Sequence, residues 1–139
     1  MHNISVRAVL LASLAVFGVD IVTGFILINL FGGPALGSGL SDEQVRAALQ
    51  VLFQDARYLT FALICGTAST VLGGYLAARL GRAVPYFNAL AFGVIALTVS
   101  TLTSGDPPIW FKILGYGFTL PAALLGGHIA KLRMQTGRS

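Results

Sequence analysis

Long apolar runs dominate the chain and lie at about residues 6–31, 59–80, 85–103 and 109–130. A helix needs about 20 predominantly apolar residues to cross a hydrocarbon core of about 30 Å. Each run is close to that length or longer, and polar connections containing glycine or proline separate the runs. The pattern predicts an all-α membrane protein with one domain over residues 1–139, in which four transmembrane helices form an antiparallel bundle.

The first connection, over residues 32–58, is the longest and has two parts. A glycine-rich part, "GGPALGSG", precedes a segment whose apolar residues recur at helical spacing, namely Val45, Leu49, Leu52, Phe53 and Ala56. Ser41 with Gln44 matches a capping box, a side-chain pattern that begins helices. We expect an amphipathic helix at about 41–57 on the outer face of the membrane, bent near residues 55–58. The alternative is a helix continuous with the second span.

Composition and charge agree with a membrane protein. Hydrophobic residues make up 55% of the chain and charged residues 10%, whereas a soluble domain carries about one-quarter charged residues. The net charge of +4 does not indicate nucleic-acid binding, because the basic residues stand at the ends of apolar runs and form no cluster interleaved with aromatic residues. The single Cys65 has no cysteine partner or metal-ligand spacing, so we expect no metal and no cofactor.

The distribution of basic residues predicts the orientation of the chain. Cytoplasmic loops of membrane proteins carry an excess of Lys and Arg. Six basic residues fall on one side of the predicted spans, namely Arg7, Arg79, Arg82, Lys131, Arg133 and Arg138. Three fall on the other side, namely Arg46, Arg57 and Lys112. We therefore expect a multi-pass protein of a bacterial inner membrane with both termini cytoplasmic. The first run should be a retained helix, because its apolar character resumes after Asp20.

Small residues recur every fourth position in the second and fourth runs. The second run carries Ala62, Gly66, Thr70, Gly74 and Ala78, and the fourth carries Gly115, Thr119, Ala123 and Gly127. Such stripes allow helix backbones to approach closely in lipid, where association depends on van der Waals contact. We expect Gly66, Gly74, Gly115 and Gly127 to pack these two helices within the chain. Association with a second copy or with a partner membrane protein is the alternative.

Asp20, in "FGVDIVTGF", interrupts the first apolar run. It lies about 11 residues beyond the predicted inner boundary, hence about 16 Å deep at 1.5 Å per residue. Because an ionised Asp at that depth costs at least about 2.5–3.5 kcal/mol, we expect it to face the bundle and to be protonated or paired. The hydroxyls expected at matching depth are those of Thr67, Thr70, Thr98, Tyr116 and Thr119.

Asp20 and these hydroxyls have two interpretations. They form a site for a proton, a cation or another ligand, or Asp20 is a neutral carboxylic acid that hydrogen-bonds neighbouring helices. No cation is expected beside the carboxyl, because Lys112 lies nearer the outer surface and His128 near the cytoplasmic edge. Desolvation without a cationic partner favours the neutral form.

Two resemblances concern other membrane proteins. The stretch "LGGYLAARLGR" followed by "VPYFNALAFGVIAL" resembles segments of small, uncharacterised four-helix membrane proteins of bacteria. The plan of the chain resembles that of the small multidrug resistance transporters, which have four helices and an essential acidic residue in the first helix, the place that Asp20 occupies here. The chain departs from that family in having Asp rather than Glu and a long first connection. The resemblance implies coupled transport.

Enzymatic activity is not expected, because the sequence contains no paired carboxylates, His cluster, nucleophile elbow or phosphate-binding loop. We expect a small integral membrane protein that acts without catalysis, as a packing, binding or accessory module whose first partner is the lipid bilayer. The alternative is a proton- or cation-coupled transporter of small molecules, or a conducting oligomer, that uses Asp20.

Overall fold

The computed structural model describes residues 4–32, 39–103 and 105–136. These residues contain no strand and form five helices: α1 (Val6–Gly32), α2 (Asp42–Leu52), α3 (Ala56–Gly81), α4 (Pro85–Thr103) and α5 (Ile109–Thr136). All except α2 are long and apolar enough to cross a membrane. The predicted all-α class and the prediction of four apolar helices of spanning length are therefore confirmed.

The short helix α2 is separate from α3. Ser41 caps α2 through the predicted capping box, in which its side chain accepts from the Gln44 backbone and the Gln44 side chain accepts from the Ser41 backbone. α2 ends at Leu52, earlier than the predicted limit near residue 57. It ends there because Asp55 has an extended backbone and caps α3, accepting from the N–H groups of Arg57 and Tyr58 at 2.7 and 3.0 Å.

The two ends of the molecule are held by different contacts. At the first, which we call the α2 end, Leu27 of α1 packs with Leu52, Tyr58 and Leu59. At the second, which we call the basic end, Asn88 of α4 joins two other helices. It accepts from the Ser5 backbone N–H at 2.8 Å and donates to the Gly81 carbonyl at 3.2 Å.

Glycine contacts hold α3, α4 and α5 together toward the basic end. A Cβ atom added to Gly126 would lie 2.0 Å from the Val71 carbonyl oxygen, and one added to Gly74 would lie 2.1 Å from the Ala123 carbonyl oxygen. Similarly, a Cβ on Gly127 would lie 2.7 Å from Ala89 Cβ. Because only glycine fits at such separations, these positions set how closely α5 approaches its neighbours.

Large apolar side chains cover the outward surfaces of the long helices. On α1, for example, Leu14, Phe25 and Leu30 are each more than two-thirds exposed, at 68%, 69% and 68%. Soluble monomers rarely expose contiguous apolar patches of this kind. The exposed surface and the lengths of the helices are compatible with a multi-pass membrane protein.

Candidate functional site: a cavity around Asp20

A cavity of about 550 Å³ lies between α1, α3, α4 and α5. It reaches the α2 end of the molecule at Thr103, Pro107 and Phe111. Its walls are mainly apolar, and its polar side chains are those of Ser13, Asp20, Thr67, Thr70, Ser100, Thr103, Lys112, Tyr116 and Thr119. Asp20 is the one carboxylate among the lining residues.

The Asp20 side chain is held by a hydroxyl from the adjacent helix. Ser69 Oγ of α3 lies 2.5 Å from Asp20 Oδ1 and 3.1 Å from the Gly66 carbonyl oxygen. A hydroxyl has one hydrogen to donate. If Asp20 is ionised, Ser69 donates to the carboxylate; if Asp20 is protonated, it can donate to Ser69, which then donates to Gly66. Both protonation states therefore fit the same heavy-atom positions.

Four of the five predicted hydroxyl residues line the cavity with Asp20, namely Thr67, Thr70, Tyr116 and Thr119. The three threonines donate to carbonyls of their own helices, at Leu63, Gly66 and Gly115 respectively, over 2.7–2.8 Å. Their hydrogens are thus used within the helix, while their oxygen lone pairs can still accept from a ligand. The cavity wall is consequently rich in acceptors.

Thr98 does not belong to the cavity, contrary to the prediction. It is exposed on α4 and donates to the carbonyl of Val94 at 2.8 Å. The α4 face toward the cavity carries Ile95, Ala96, Val99, Ser100 and Thr103, which recur at helical spacing, and Thr98 projects from a different side of the helix.

The two predicted packing stripes divide into parts with different roles. Gly74 and Gly127 lie at close helix contacts, but Gly66 has nothing within 4 Å of an added Cβ and Gly115 only Leu63 Cδ1 at 4.0 Å. Gly66 and Gly115 line the cavity, so their assignment to helix packing is corrected. Helices that cross at an angle are closest near the crossing and diverge beyond it. The stripes meet toward the basic end and separate around the cavity.

Ser69, the hydrogen-bond partner of Asp20, was not among the residues predicted for this site. A second stripe of small residues in α3 contains the signal for it, since Cys65, Ser69, Gly73, Ala77 and Gly81 also recur every fourth position. In the structure this stripe faces α1 and α4: Ala77 packs with Val9 and Ala12, and a Cβ on Gly73 would lie 2.0 Å from Phe92. A small polar residue on such a stripe can reach a neighbouring helix.

The nearest candidates for a charge partner of Asp20 are engaged elsewhere. Lys112 lines the cavity, but its Nζ lies 2.9 Å from Oδ1 of the exposed Asp106. The hydrogen bond from Lys112, together with its charge, holds the pKa of the Asp106 carboxyl below its usual range. His128 Nδ1 lies 2.7 Å from the Tyr86 hydroxyl. Within the described ranges, no group of His, Cys, Asp and Glu side chains could hold a metal ion.

Comparison with models of protein families, with curated proteins and with solved structures found no match to this chain. The chemistry of the cavity therefore has to be inferred from its own residues. A single carboxyl group among hydroxyl acceptors and apolar walls suits a ligand that has an apolar body and a cationic or hydrogen-bond-donating group. General acid–base catalysis usually needs a second positioned group, and the lining residues supply no second carboxylate or imidazole.

Proposed function

We propose that this protein is a non-enzymatic integral membrane protein that binds a lipophilic small molecule carrying a cationic or hydrogen-bond-donating group. In this proposal α1, α3, α4 and α5 cross the membrane as an antiparallel bundle, with both termini cytoplasmic and α2 on the outer face. The observation that carries the proposal is the Asp20 carboxyl, which stands on the wall of the cavity of about 550 Å³ and is held there by Ser69.

The character of the cavity supports a ligand of this class. Small-molecule sites are typically concave and mostly apolar, with volumes of about 300–1,000 Å³ and a few polar groups that orient the ligand. The cavity has these properties, and Asp20 remains accessible to its interior. Because the surroundings have a low dielectric constant, the attraction between a carboxylate and a ligand cation is stronger than in water.

A pair of probes of the same shape and opposite charge tests the proposal. Equilibrium dialysis of the full chain in mild detergent would compare tetraphenylphosphonium with tetraphenylborate. We expect the cation to bind at least about tenfold more tightly than the anion, which corresponds to about 1.4 kcal/mol. Asp20→Asn should abolish this preference.

Thr98→Ala is the matched control, because Thr98 lies on α4 outside the cavity. It should leave the preference for the cation unchanged. Equal binding of the two probes to the native chain, or an unchanged preference in Asp20→Asn, would refute the proposed site.

Coupled transport is the second candidate, and the one-sided shape of the cavity favours it. The cavity reaches the α2 end, whereas close contacts at Gly74, Gly126 and Gly127 join the helices toward the basic end. A midplane acid accessible from one side is the arrangement expected of one state of an alternating-access carrier. Uptake of tetraphenylphosphonium into proteoliposomes, driven by a proton gradient and lost in Asp20→Asn, would establish transport. Binding without uptake would leave the binding function alone.

The packing of α3 against α5 supports a role within the chain for the parts of the small-residue stripes that lie toward the basic end. Gly74, in the stripe of α3, meets the backbone of Ala123, in the stripe of α5, within the same chain. These surfaces are therefore not free for a second copy. Among the two predicted uses of the stripes, the contacts favour packing within the chain over homodimerisation.

A further inference from the structure

A second cavity, distinct from the one around Asp20, lies at the basic end of α3 and α5 and has a volume of about 570 Å³. We call it the basic pocket. Its cationic lining residues are Arg79 and Arg82, from the end of α3 and its cap, and Lys131 and Arg133 of α5. The other residues that line it are Tyr75, Pro85, Ala130, Met134 and Gln135. Four cationic side chains thus surround one concave site.

Aromatic rings hold three of these cations in place. The guanidinium carbons of Arg79 and Arg133 lie 5.7 and 5.8 Å from the centre of the Tyr75 ring, and Arg79 also donates to the Tyr75 hydroxyl at 2.7 Å. Lys131 Nζ lies 4.9 Å from the centre of the Tyr86 ring. Attraction between a cation and a ring face operates at these distances. Tyr75 therefore draws two like charges from different helices toward the same ring.

No carboxylate side chain of the described residues lines the basic pocket to balance its positive charge. The chain has five acidic residues, namely Asp20, Asp42, Glu43, Asp55 and Asp106, and none of them lines the pocket. Asp20 bonds to Ser69 and Asp106 to Lys112, while Asp55 caps α3 at the α2 end. Like charges held near each other without a counter-ion repel, so binding of an anion at this place is favourable.

We propose that the basic pocket binds the phosphate of an anionic phospholipid headgroup. Guanidinium groups bind phosphate oxygens through two parallel hydrogen bonds, and Arg79 and Arg133 can approach one phosphate from two helices. The inference goes beyond the cavity around Asp20, although it rests on the membrane placement proposed above. Basic pockets between spanning helices at the cytoplasmic side are suited to anionic headgroups.

The position of the pocket favours a lipid over a soluble phosphate. Leu72, Tyr75 and Arg79 lie three and four residues apart and therefore share one face of α3. Leu72 is exposed and Tyr75 half-buried, so this face passes from apolar to aromatic to cationic toward the end of the helix. An acyl chain beside Leu72 would place its own headgroup beside Arg79.

Native mass spectrometry of the delipidated full chain, titrated with dioleoyl phosphatidylglycerol or dioleoyl phosphatidylcholine, tests this proposal. We expect the native chain to retain the anionic lipid preferentially. Because each basic residue near an anionic surface contributes about fivefold to affinity, the double variant Arg79→Gln/Arg133→Gln should bind phosphatidylglycerol about 25-fold more weakly. The double variant Arg79→Lys/Arg133→Lys keeps the charge but loses the paired hydrogen bonds of the guanidinium groups, so its affinity for phosphatidylglycerol should fall between those of the native chain and the Gln variant.

Arg46→Gln/Arg57→Gln is the charge-matched control, because Arg46 lies on α2 and Arg57 in the first turn of α3, at the opposite end. It should bind phosphatidylglycerol as the native chain does. Equal retention of the two lipids by the native chain, or the same loss in Arg46→Gln/Arg57→Gln, overturns the proposal. Displacement of phosphatidylglycerol by millimolar inorganic phosphate, with no preference between the lipids, indicates a site for soluble anions and also overturns it.

Failure of the proposed lipid site can be distinguished from failure of the proposed function. Flotation of the native chain with phosphatidylcholine vesicles reports membrane insertion without the basic pocket. Binding of tetraphenylphosphonium reports the cavity around Asp20 independently of Arg79 and Arg133. Inserted protein that binds the phosphonium but shows no preference for phosphatidylglycerol would refute the lipid site and leave the first proposal standing.

Discussion

Ser69 of α3 and Asp20 of α1, which are 49 positions apart in the chain, form a hydrogen bond of 2.5 Å between Oγ and Oδ1. Ser69 is buried at 7% exposure, whereas Asp20 remains open to the cavity. The bond therefore connects the packed interior of α3 with the wall of the ligand cavity. It orients one carboxylate oxygen and leaves the other available to a ligand.

Substitutions at these two residues should not be additive. Ser69→Ala removes the hydroxyl and Asp20→Ala removes the carboxyl group, so each breaks the same contact. In a double-mutant cycle we expect a coupling free energy of about 0.5–3 kcal/mol for residues in direct contact. Thermal or denaturant unfolding of the four proteins in detergent measures it. Additive effects would mean that the two side chains do not interact in the folded protein.

Glycines within one helix pair should differ sharply in their response to alanine. A methyl group at Gly126 would lie 2.0 Å from the Val71 carbonyl oxygen, and one at Gly66 would meet nothing within 4 Å. Gly126→Ala should therefore destabilise the protein by about 1–3 kcal/mol or more. Gly66→Ala should be neutral or stabilising by up to about 1 kcal/mol, since alanine favours helix. Comparison of unfolding midpoints in detergent checks both, and equal destabilisation would contradict the placement of Gly126 at a close helix contact and of Gly66 on the cavity wall.

Asn88 should be important for joining α1 to α3. Its side chain is buried at 0% exposure, accepts from the Ser5 N–H and donates to the Gly81 carbonyl. Asn88→Ala leaves the Ser5 N–H and the Gly81 carbonyl without this hydrogen-bond partner, and an unsatisfied buried polar group lowers the free energy of unfolding by about 1–3 kcal/mol. Asn29→Ala is the control, because Asn29 is exposed and bonds to Phe25 of its own helix. A lower midpoint of thermal unfolding is expected for Asn88→Ala only.

The pair of Asp106 and Lys112 should make a small contribution to stability that is lost in acid. The hydrogen bond from Lys112 lowers the pKa of Asp106 in the folded protein. A group whose folded pKa is depressed stabilises the fold above its unfolded pKa of about 3.9, and this stabilisation disappears as the pH falls through the lower, folded value. The native chain and Asp106→Asn should therefore differ in unfolding midpoint at pH 7 and converge as the pH falls through the lowered, folded pKa of Asp106. Lys112→Gln removes the other partner of the pair, so its unfolding midpoint should also differ from that of the native chain at pH 7 and converge with it in acid.

Local signals in the sequence were sufficient for the helices. The limits of the apolar runs depend on how many consecutive residues avoid water, and the observed Pro85–Thr103 helix has the predicted bounds. The capping box of Ser41 and Gln44 likewise involves residues three positions apart and formed as predicted. The end of α2 was misplaced, because the side chain of Asp55 begins a new helix where the apolar periodicity continues. The last helix also continues to Thr136, beyond the predicted limit of the apolar run at 130.

Depth along a helix could be predicted from the sequence, because each residue advances a helix by about 1.5 Å whatever its neighbours are. Asp20, Thr67, Thr70, Tyr116 and Thr119 were selected by this spacing, and all of them line the cavity. The direction in which each side chain projects around the helix axis was harder to predict. Helices that are apolar on every side carry little periodic signal for the direction of their neighbours, which is why Thr98 was included and Ser69 was not.

The tertiary structure decided where helices touch and where they separate. The stripes of α3 and α5 look uniform in sequence, yet Gly74 and Gly127 lie at contacts while Gly66 and Gly115 border a cavity. Two crossing helices can be close over only part of their length. The crossing depends on contacts that all of the long helices make together, and no single stripe contains that information. The sequence by itself therefore determined which residues form the long apolar helices, and the packing of the helices decided which of them surround Asp20.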